Sequence, residues 1–183
     1  MISRDEAIRV VRNYISKENN LKHMIAVGAI MRELAVNLGE DALKWEVTGI
    51  LHDIDFETCN APSNHTLKAK ELLQGIVDDE IINSILAHNY EYTSVMPDSK
   101  LKKALIASDA ASGLIVACAL VMPSKKLDEV KLETLLKKYK SKDFARNVSR
   151  ERIAICNELA LALEQFLQIA LEGMKKVSGE LGL

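Results

Sequence analysis

Four histidines, His23, His52, His65 and His88, all lie in the first half of the chain, and two aspartates, Asp53 and Asp109, sit in apolar company. Neutral imidazole and carboxylate together suit zinc, iron, manganese and related divalent ions. Asp109 lies in Ala-Leu-Ile-Ala-Ser-Asp-Ala-Ala-Ser-Gly-Leu-Ile. A buried carboxylate must be paired or bound to metal, so Asp109 calls either for an arginine or lysine or for an ion. His52 and Asp53 are adjacent. Neighbours in a continuing helix point about 100° apart and do not easily reach one ion. At a helix end the backbone turns and they converge, so the spacing predicts a helix that stops at this doublet.

The elements that must position these groups are helical. Alternating β-branched and polar runs are few, and no Asn-Gly or Asp-Gly hairpin turn is present. Ser3-Arg4-Asp5-Glu6 has the form of a capping box and opens a helix to about Lys17. Asn19 and Asn20 are candidate caps for a second helix that Gly39 stops, and Asp41 opens a third that ends near His52. Residues 53–64, with Pro62, read as a loop. Helices follow from about His65 to Leu73, from Asp79 to His88, and from Ser99 to Pro123. The tail predicts helices near Leu127 to Tyr139, from Arg150 to Gln168, and on toward Val177, with breaks left open. Helical spacing puts His23 with Ala26, Val27, Ile30 and Leu34, His52 with Trp45 and Thr48, and His88 with Ile81 and Ile85, so these imidazoles face inward.

His23, the His52-Asp53 doublet 29 residues later and the distal Asp109 together resemble the H…HD…D signature of the HD superfamily of metal-dependent phosphohydrolases. Trp45-Glu46-Val47-Thr48-Gly49-Ile50-Leu51-His52-Asp53-Ile54-Asp55 is similar to that superfamily's motif helix. Asp109-Ala110-Ala111-Ser112-Gly113-Leu114-Ile115 and Met122-Pro123-Ser124-Lys125-Lys126 resemble a group of small prokaryotic predicted HD-superfamily hydrolases. The resemblance implies an all-α HD-domain helical bundle. It assigns a metal-binding core to about 20–122 and a packed C-terminal helical extension to about 123–183, in one domain. Some members hold two ions, with two extra histidines between the doublet and the last aspartate, and His65 and His88 fall in that interval. The resemblance therefore implies His23, His52, Asp53 and Asp109 on one ion, and His65 and His88 on a second, with Asp53 bridging. Iron or manganese is the leading expectation, with zinc, cobalt, nickel or magnesium as alternatives.

Such a pair activates water and clamps a phosphoryl group, with Asp53 and His52 at the centre of the chemistry. The implied reaction is hydrolysis of a phosphomonoester or phosphodiester, with a small, nucleotide-like substrate. The resemblance also leaves open a diiron oxygenase of the kind resembling myo-inositol oxygenase, and a non-catalytic nucleotide-sensing domain. Asp55 or Glu57 is a candidate proton shuttle, or a solvated loop carboxylate. Lys102, seven residues before Asp109, and Lys125 and Lys126 after Pro123 are candidate substrate contacts, because phosphate needs positive partners. Ser112, three residues past Asp109, either contacts a ligand or bonds the backbone.

Composition narrows the partners. With 48% hydrophobic and 27% charged residues, the chain has material for a core. A net charge of -2 argues against a broad nucleic-acid surface. Three scattered cysteines and an acidic N-terminus lacking a signal-peptide pattern predict a reducing, cytoplasmic setting. The apolar stretch from Ala104 to Met122 contains Asp109, which is costly in lipid, so it reads as a buried core helix and no membrane partner is expected. Apolar tail residues such as Leu159, Leu163, Phe166 and Leu167 serve either the core or a dimer, leaving monomer and homodimer equally open.

Overall fold

The computed structural model describes residues 2–183. Ser3 closes the capping box: its hydroxyl accepts from the Glu6 amide, and Glu6 Oε2 accepts from the Ser3 amide at 2.8 Å. This starts α1 (Arg4–Arg12). It is followed by α2 (Glu18–Leu38) and α3 (Ala42–Leu51), separated by Gly39 in a left-handed turn at φ 70°. Asp41 caps α3 by accepting from Lys44 N at 3.0 Å. Turns and a 3-10 segment (Pro62–Asn64) lead to α4 (Leu67–Leu73), α5 (Asp79–His88) and the short α6 (Tyr90–Thr93). The apolar helix α7 (Lys100–Leu120) comes next, capped by Ser99. The rest consists of α8 (Leu132–Lys140), α9 (Arg150–Ala154), α10 (Leu163–Lys176) and α11 (Ser178–Leu181). No strand occurs among the described residues, and the fold is all-α.

The helical stretch expected from Arg150 to Gln168, with breaks left open, is broken once. After α9 the chain tightens into a 3-10 segment (Ile155–Leu159), and Ala160 turns left-handed at φ 58°. The two halves meet at 102°. The turn buries Cys156 and Leu159 on one side and Phe166 and Leu167 on the other. Burial of these apolar groups offsets the strain of a non-glycine residue in that region. The connector expected at 89–97 contains α6.

Helices α2 and α3 cross with almost no side chain between them. A Cβ on Gly49 would lie 2.7 Å from Gly28 Cα, so only glycine allows this approach. The consequence reaches the site directly: His23 on α2 and His52 at the end of α3 have ring centroids 5.2 Å apart. Helix α7 is long and apolar enough, by length and composition, to cross a membrane, and 61% of that stretch is buried inside the fold. Leu105, Leu114 and Ile115 on α7 are wholly buried, and α7 carries Asp109 into the middle of the bundle. The extension joins the same core through Phe166, Leu167 and Met174, each fully buried.

Candidate metal centre

Helix α3 ends at Leu51, and His52 is its C-terminal cap. Tight turns follow at once, with Ile54 N donating to Leu51 O at 3.1 Å and Phe56 N to Asp53 O at 2.9 Å. The His52-Asp53 doublet therefore sits where the backbone turns, and its two side chains converge: His52 Nε2 is 3.3 Å from Asp53 Oδ1. The same oxygen is 3.2 Å from His65 Nε2 and 3.7 Å from His88 Nε2. The other Asp53 oxygen is 3.7 Å from His23 Nε2. Asp109 Oδ1 lies 3.1 Å from His23 Nε2 and 3.8 Å from His52 Nε2. All six residues expected from the sequence thus meet in one place. Two triads, His23-His52-Asp53 and Asp53-His65-His88, each present ligand atoms within 4.8 Å of one another, and Asp53 belongs to both.

Three imidazoles have the hydrogen bonds that a metal-binding tautomer needs. His52 Nδ1 is 2.8 Å from Gly49 O, which can only accept, so Nδ1 carries the proton and Nε2 offers a lone pair. His65 Nδ1 is bound to Asp55 Oδ1 at 2.8 Å, with the same result. Ser112 Oγ gives its one proton to Asp109 O at 2.8 Å and lies 3.2 Å from His23 Nδ1, so it accepts from that ring and frees Nε2. His52 Nε2 and Asp53 Oδ1 are buried with no hydrogen-bond partner, as is His88 Nδ1. Orphaned buried donors and acceptors cost about 1–3 kcal/mol each. Lone pairs aimed at one small volume, with their outer nitrogens already anchored, fit a divalent metal site.

Charge points the same way. Burial opposes ionisation of Asp53, but His52, His65 and His88 outweigh it and hold the carboxyl well below its usual range. Burial likewise opposes the charge on Asp109, yet His88, His23 and His52 bring it down to about 2. Burial disfavours the His65 imidazolium, but Asp53 and Asp55 push its pKa up to about 10, so the Nε2 lone pair becomes free only as an entering cation displaces the proton that faces Asp53. His88 goes the other way, to about 4, because burial and the neighbouring His52 and His65 outweigh the aspartates. The cage therefore offers two ionised carboxylates, Asp53 and Asp109, to whatever cation enters.

A cavity of about 460 Å³ opens over this cage, lined by Asn20, Phe56, His23, Asp53, His65, His88 and Asp109. His52, wholly buried, forms the base behind Asp53. Phe56 is 53% exposed, an unusual setting for a large apolar ring, and its ring stands edge-on to His65 at 6.2 Å. No lysine or arginine lines the cavity.

Several residues differ in role from the sequence expectation. Asp55 is wholly buried rather than solvated, and it accepts from Thr66 N at 2.7 Å and Ala69 N at 3.1 Å as well as holding His65. It orients a ligand and caps α4, which leaves it no free oxygen for a proton shuttle. Glu57 is committed elsewhere too: it accepts from Ser16 Oγ at 2.6 Å, Lys17 N at 2.9 Å and Asn20 Nδ2 at 2.8 Å. It caps α2 from the loop after the doublet, a task the sequence suggested for Asn19 or Asn20. Lys102 does not reach toward Asp109. Its ammonium donates to Asp98 at 2.7 Å and to Met96 O at 3.3 Å. Lys126 Nζ donates to Gly182 O at 3.0 Å, and neither it nor Lys125 lines the cavity. Ser112 bonds His23 and the backbone, on the outer side of the ligand ring.

Two positioning residues had no sequence signal. Asn89 donates from Nδ2 to Pro62 O at 2.8 Å and His65 O at 3.0 Å, tying the His65 backbone to the residue after His88. Arg152, on α9, donates to His88 O at the C-terminal end of α5. Those pairings join residues 24 and 64 positions apart. Only the fold brings them together.

The chain matches the HD domain family over residues 20–114, more than half of its 183 residues. It belongs to the HD-domain family, a superfamily of metal-dependent hydrolases. No curated protein and no solved structure shows significant similarity to the chain. The matched span contains all six ligand candidates, whereas Arg152 lies outside it.

Proposed function

We propose that this protein is a phosphohydrolase with a dinuclear centre, cleaving a phosphate ester. The observation that carries the reading is the position of Asp53. Its carboxylate is common to both histidine triads, and its buried Oδ1 has no partner within the protein. His23, His52, Asp53 and Asp109 would hold one ion, and His65 and His88, with Asp53, the other.

When bound, divalent ions supply Lewis-acid polarisation of a phosphoryl oxygen and acidify a water. The protein's part is to hold and orient. His52, His65 and His23 keep their protons on Nδ1, and so present Nε2 without competition from tautomers. Asp55 fixes the His65 ring, and Ser112 that of His23. Only Asp53 and Asp109 contribute negative charge to the cavity lining. Two divalent ions therefore leave a net positive site, whereas one would leave it neutral. With no lysine or arginine in the lining, that surplus is what would draw a phosphate group in. This favours two ions and an anionic substrate. Phe56 adds an apolar face to the cavity wall.

Iron and manganese are the preferred metals for a mixed nitrogen and oxygen set, with zinc, cobalt, nickel and magnesium as candidates. Nucleotide-like substrates enter on family resemblance. The test is metal-dependent release of phosphate from a panel of esters. Asp53→Ala should abolish both metal uptake and turnover, and retention of either overturns the reading.

A further inference from the structure

A second cavity, of about 550 Å³, adjoins the metal centre, and His23 is a wall of both. It is a groove between α2 and α7, closed at one end by the residues after α10. Lys22 and Ala26, one turn apart, supply the α2 wall, and Ser112, Val116 and Leu120 the α7 wall. Ala26, Ser112 and Gly113 are small, so the helices leave a channel where larger side chains would interlock. Leu181 and Leu183 complete the lining.

The chemistry of the groove differs from that of the cage. Its apolar side chains are all aliphatic, and none but the His23 ring offers a flat face for stacking a base. Leu120 at its rim is 50% exposed. Lys22 is the one lysine or arginine lining the groove, and its Nζ lies beside Gly182, 3.2 Å from where a Cβ on that residue would stand.

We propose that this groove is the leaving-group subsite, and that the substrate is a phosphomonoester of a predominantly apolar alcohol. The proposal rests on the phosphohydrolase reading. The phosphoryl group lies over the Asp53 cage, and the alcohol chain runs past His23 along Ala26, Val116 and Leu120. Hydrolysis breaks the bond from phosphorus to the alcohol oxygen and forms one from phosphorus to a water oxygen. The alcohol departs with one proton of that water, inorganic phosphate remains, and no oxidant or reductant is needed.

The experiment uses the full chain reconstituted with Mn²⁺ and measures phosphate release from ethyl phosphate, hexyl phosphate and adenosine 5′-monophosphate. The expected kcat/KM for hexyl phosphate exceeds that for ethyl phosphate by about tenfold or more, because added methylenes enter an apolar site. Val116→Phe fills the groove, and Leu120→Glu puts a charge on its half-exposed rim where folding is little affected. Both should bring the hexyl-to-ethyl ratio close to one. A preference for the nucleotide, or a ratio that neither groove variant changes, overturns the proposal. If metal-loaded protein turns over no ester, p-nitrophenyl phosphate included, the phosphohydrolase reading itself fails. The groove is then judged by calorimetry with hexylphosphonate and ethylphosphonate. Tighter binding of the longer chain, lost in Leu120→Glu, upholds the groove, and equal binding overturns it.

Discussion

Asp55 Oδ1 lies 2.8 Å from His65 Nδ1, and both oxygens of this wholly buried carboxylate are in use. The pair is a carboxylate–histidine relay pointing at the metal cage, and it sits two residues past the doublet that anchors the other half of the site. Carboxylates in this position fix the tautomer and raise ligand basicity, and their loss typically costs about 10–100-fold in metal affinity. On the dinuclear reading, Asp55→Asn should therefore weaken the metal equivalent held by His65 and His88 by about that factor while leaving the other in place. Metal titration followed by calorimetry reads the two separately. Equal weakening of both equivalents would contradict the assignment of Asp55 to His65 alone.

Arg152 extends the same logic to His88. The C-terminal carbonyls of a helix lack intrahelical partners, and a cation there is favourable. Arg152→Ala leaves His88 O unpaired in a half-buried place, at a cost of about 1–3 kcal/mol. The expected outcome is a lower thermal midpoint together with reduced occupancy of the His65–His88 position. Arg152→Lys should recover stability more than occupancy, because lysine lacks the planar fork. Metal content and melting, measured on the same samples, check this.

The six candidate ligands were legible from the sequence because histidine is scarce here, because each residue sits at or near a predicted helix end or on an apolar helical face, and because their order resembles the HD signature. Their spacing needed no tertiary knowledge. Helix starts at Ser3, Asp41 and Ser99 were legible for a similar reason, since each cap bonds a backbone amide three residues away. The start of α2 was not, because its capping carboxylate, Glu57, lies 40 residues beyond Lys17. Asp55, Asn89 and Arg152 were misread or missed for the same physical cause: their partners are distant in sequence and meet them only in the folded chain. The break at Ala160 carries neither glycine nor proline, so packing of Leu159 and Phe166, not local preference, decides it.

Glu57 gives an acid-sensitivity prediction. Hydrogen bonds from Ser16, Lys17 and Asn20 hold its carboxyl down to about 2. A lowered folded-state pKa adds stability that is present above the unfolded value and lost as pH falls toward the folded one. Glu57→Gln turns an amide toward the Ser16 and Lys17 donors, so the variant should melt lower than wild type near neutrality. That gap should shrink as pH drops from about 4.5 toward 2. A gap independent of pH would mean that the carboxylate charge plays no part in capping α2.

The cysteines should differ in reactivity. Burial pushes the Cys118 and Cys156 thiols up to about 11, whereas Cys59 is only half-buried. The thiolate is the nucleophile, so the two buried thiols are inert at neutral pH. Folded protein should label at one thiol per chain with a soluble maleimide, and at all three in denaturant. Rapid labelling of three in the folded state would contradict the packing around α7 and the 3-10 segment after α9.

The shared Asp53 is tested most directly by metal content per chain, measured by elemental analysis on protein prepared without chelator and without oxygen. The expected result is close to two equivalents in the wild type, close to one in His65→Ala, and none retained in Asp53→Ala. One equivalent in the wild type, unchanged in His65→Ala, would contradict a centre in which one carboxylate serves both triads.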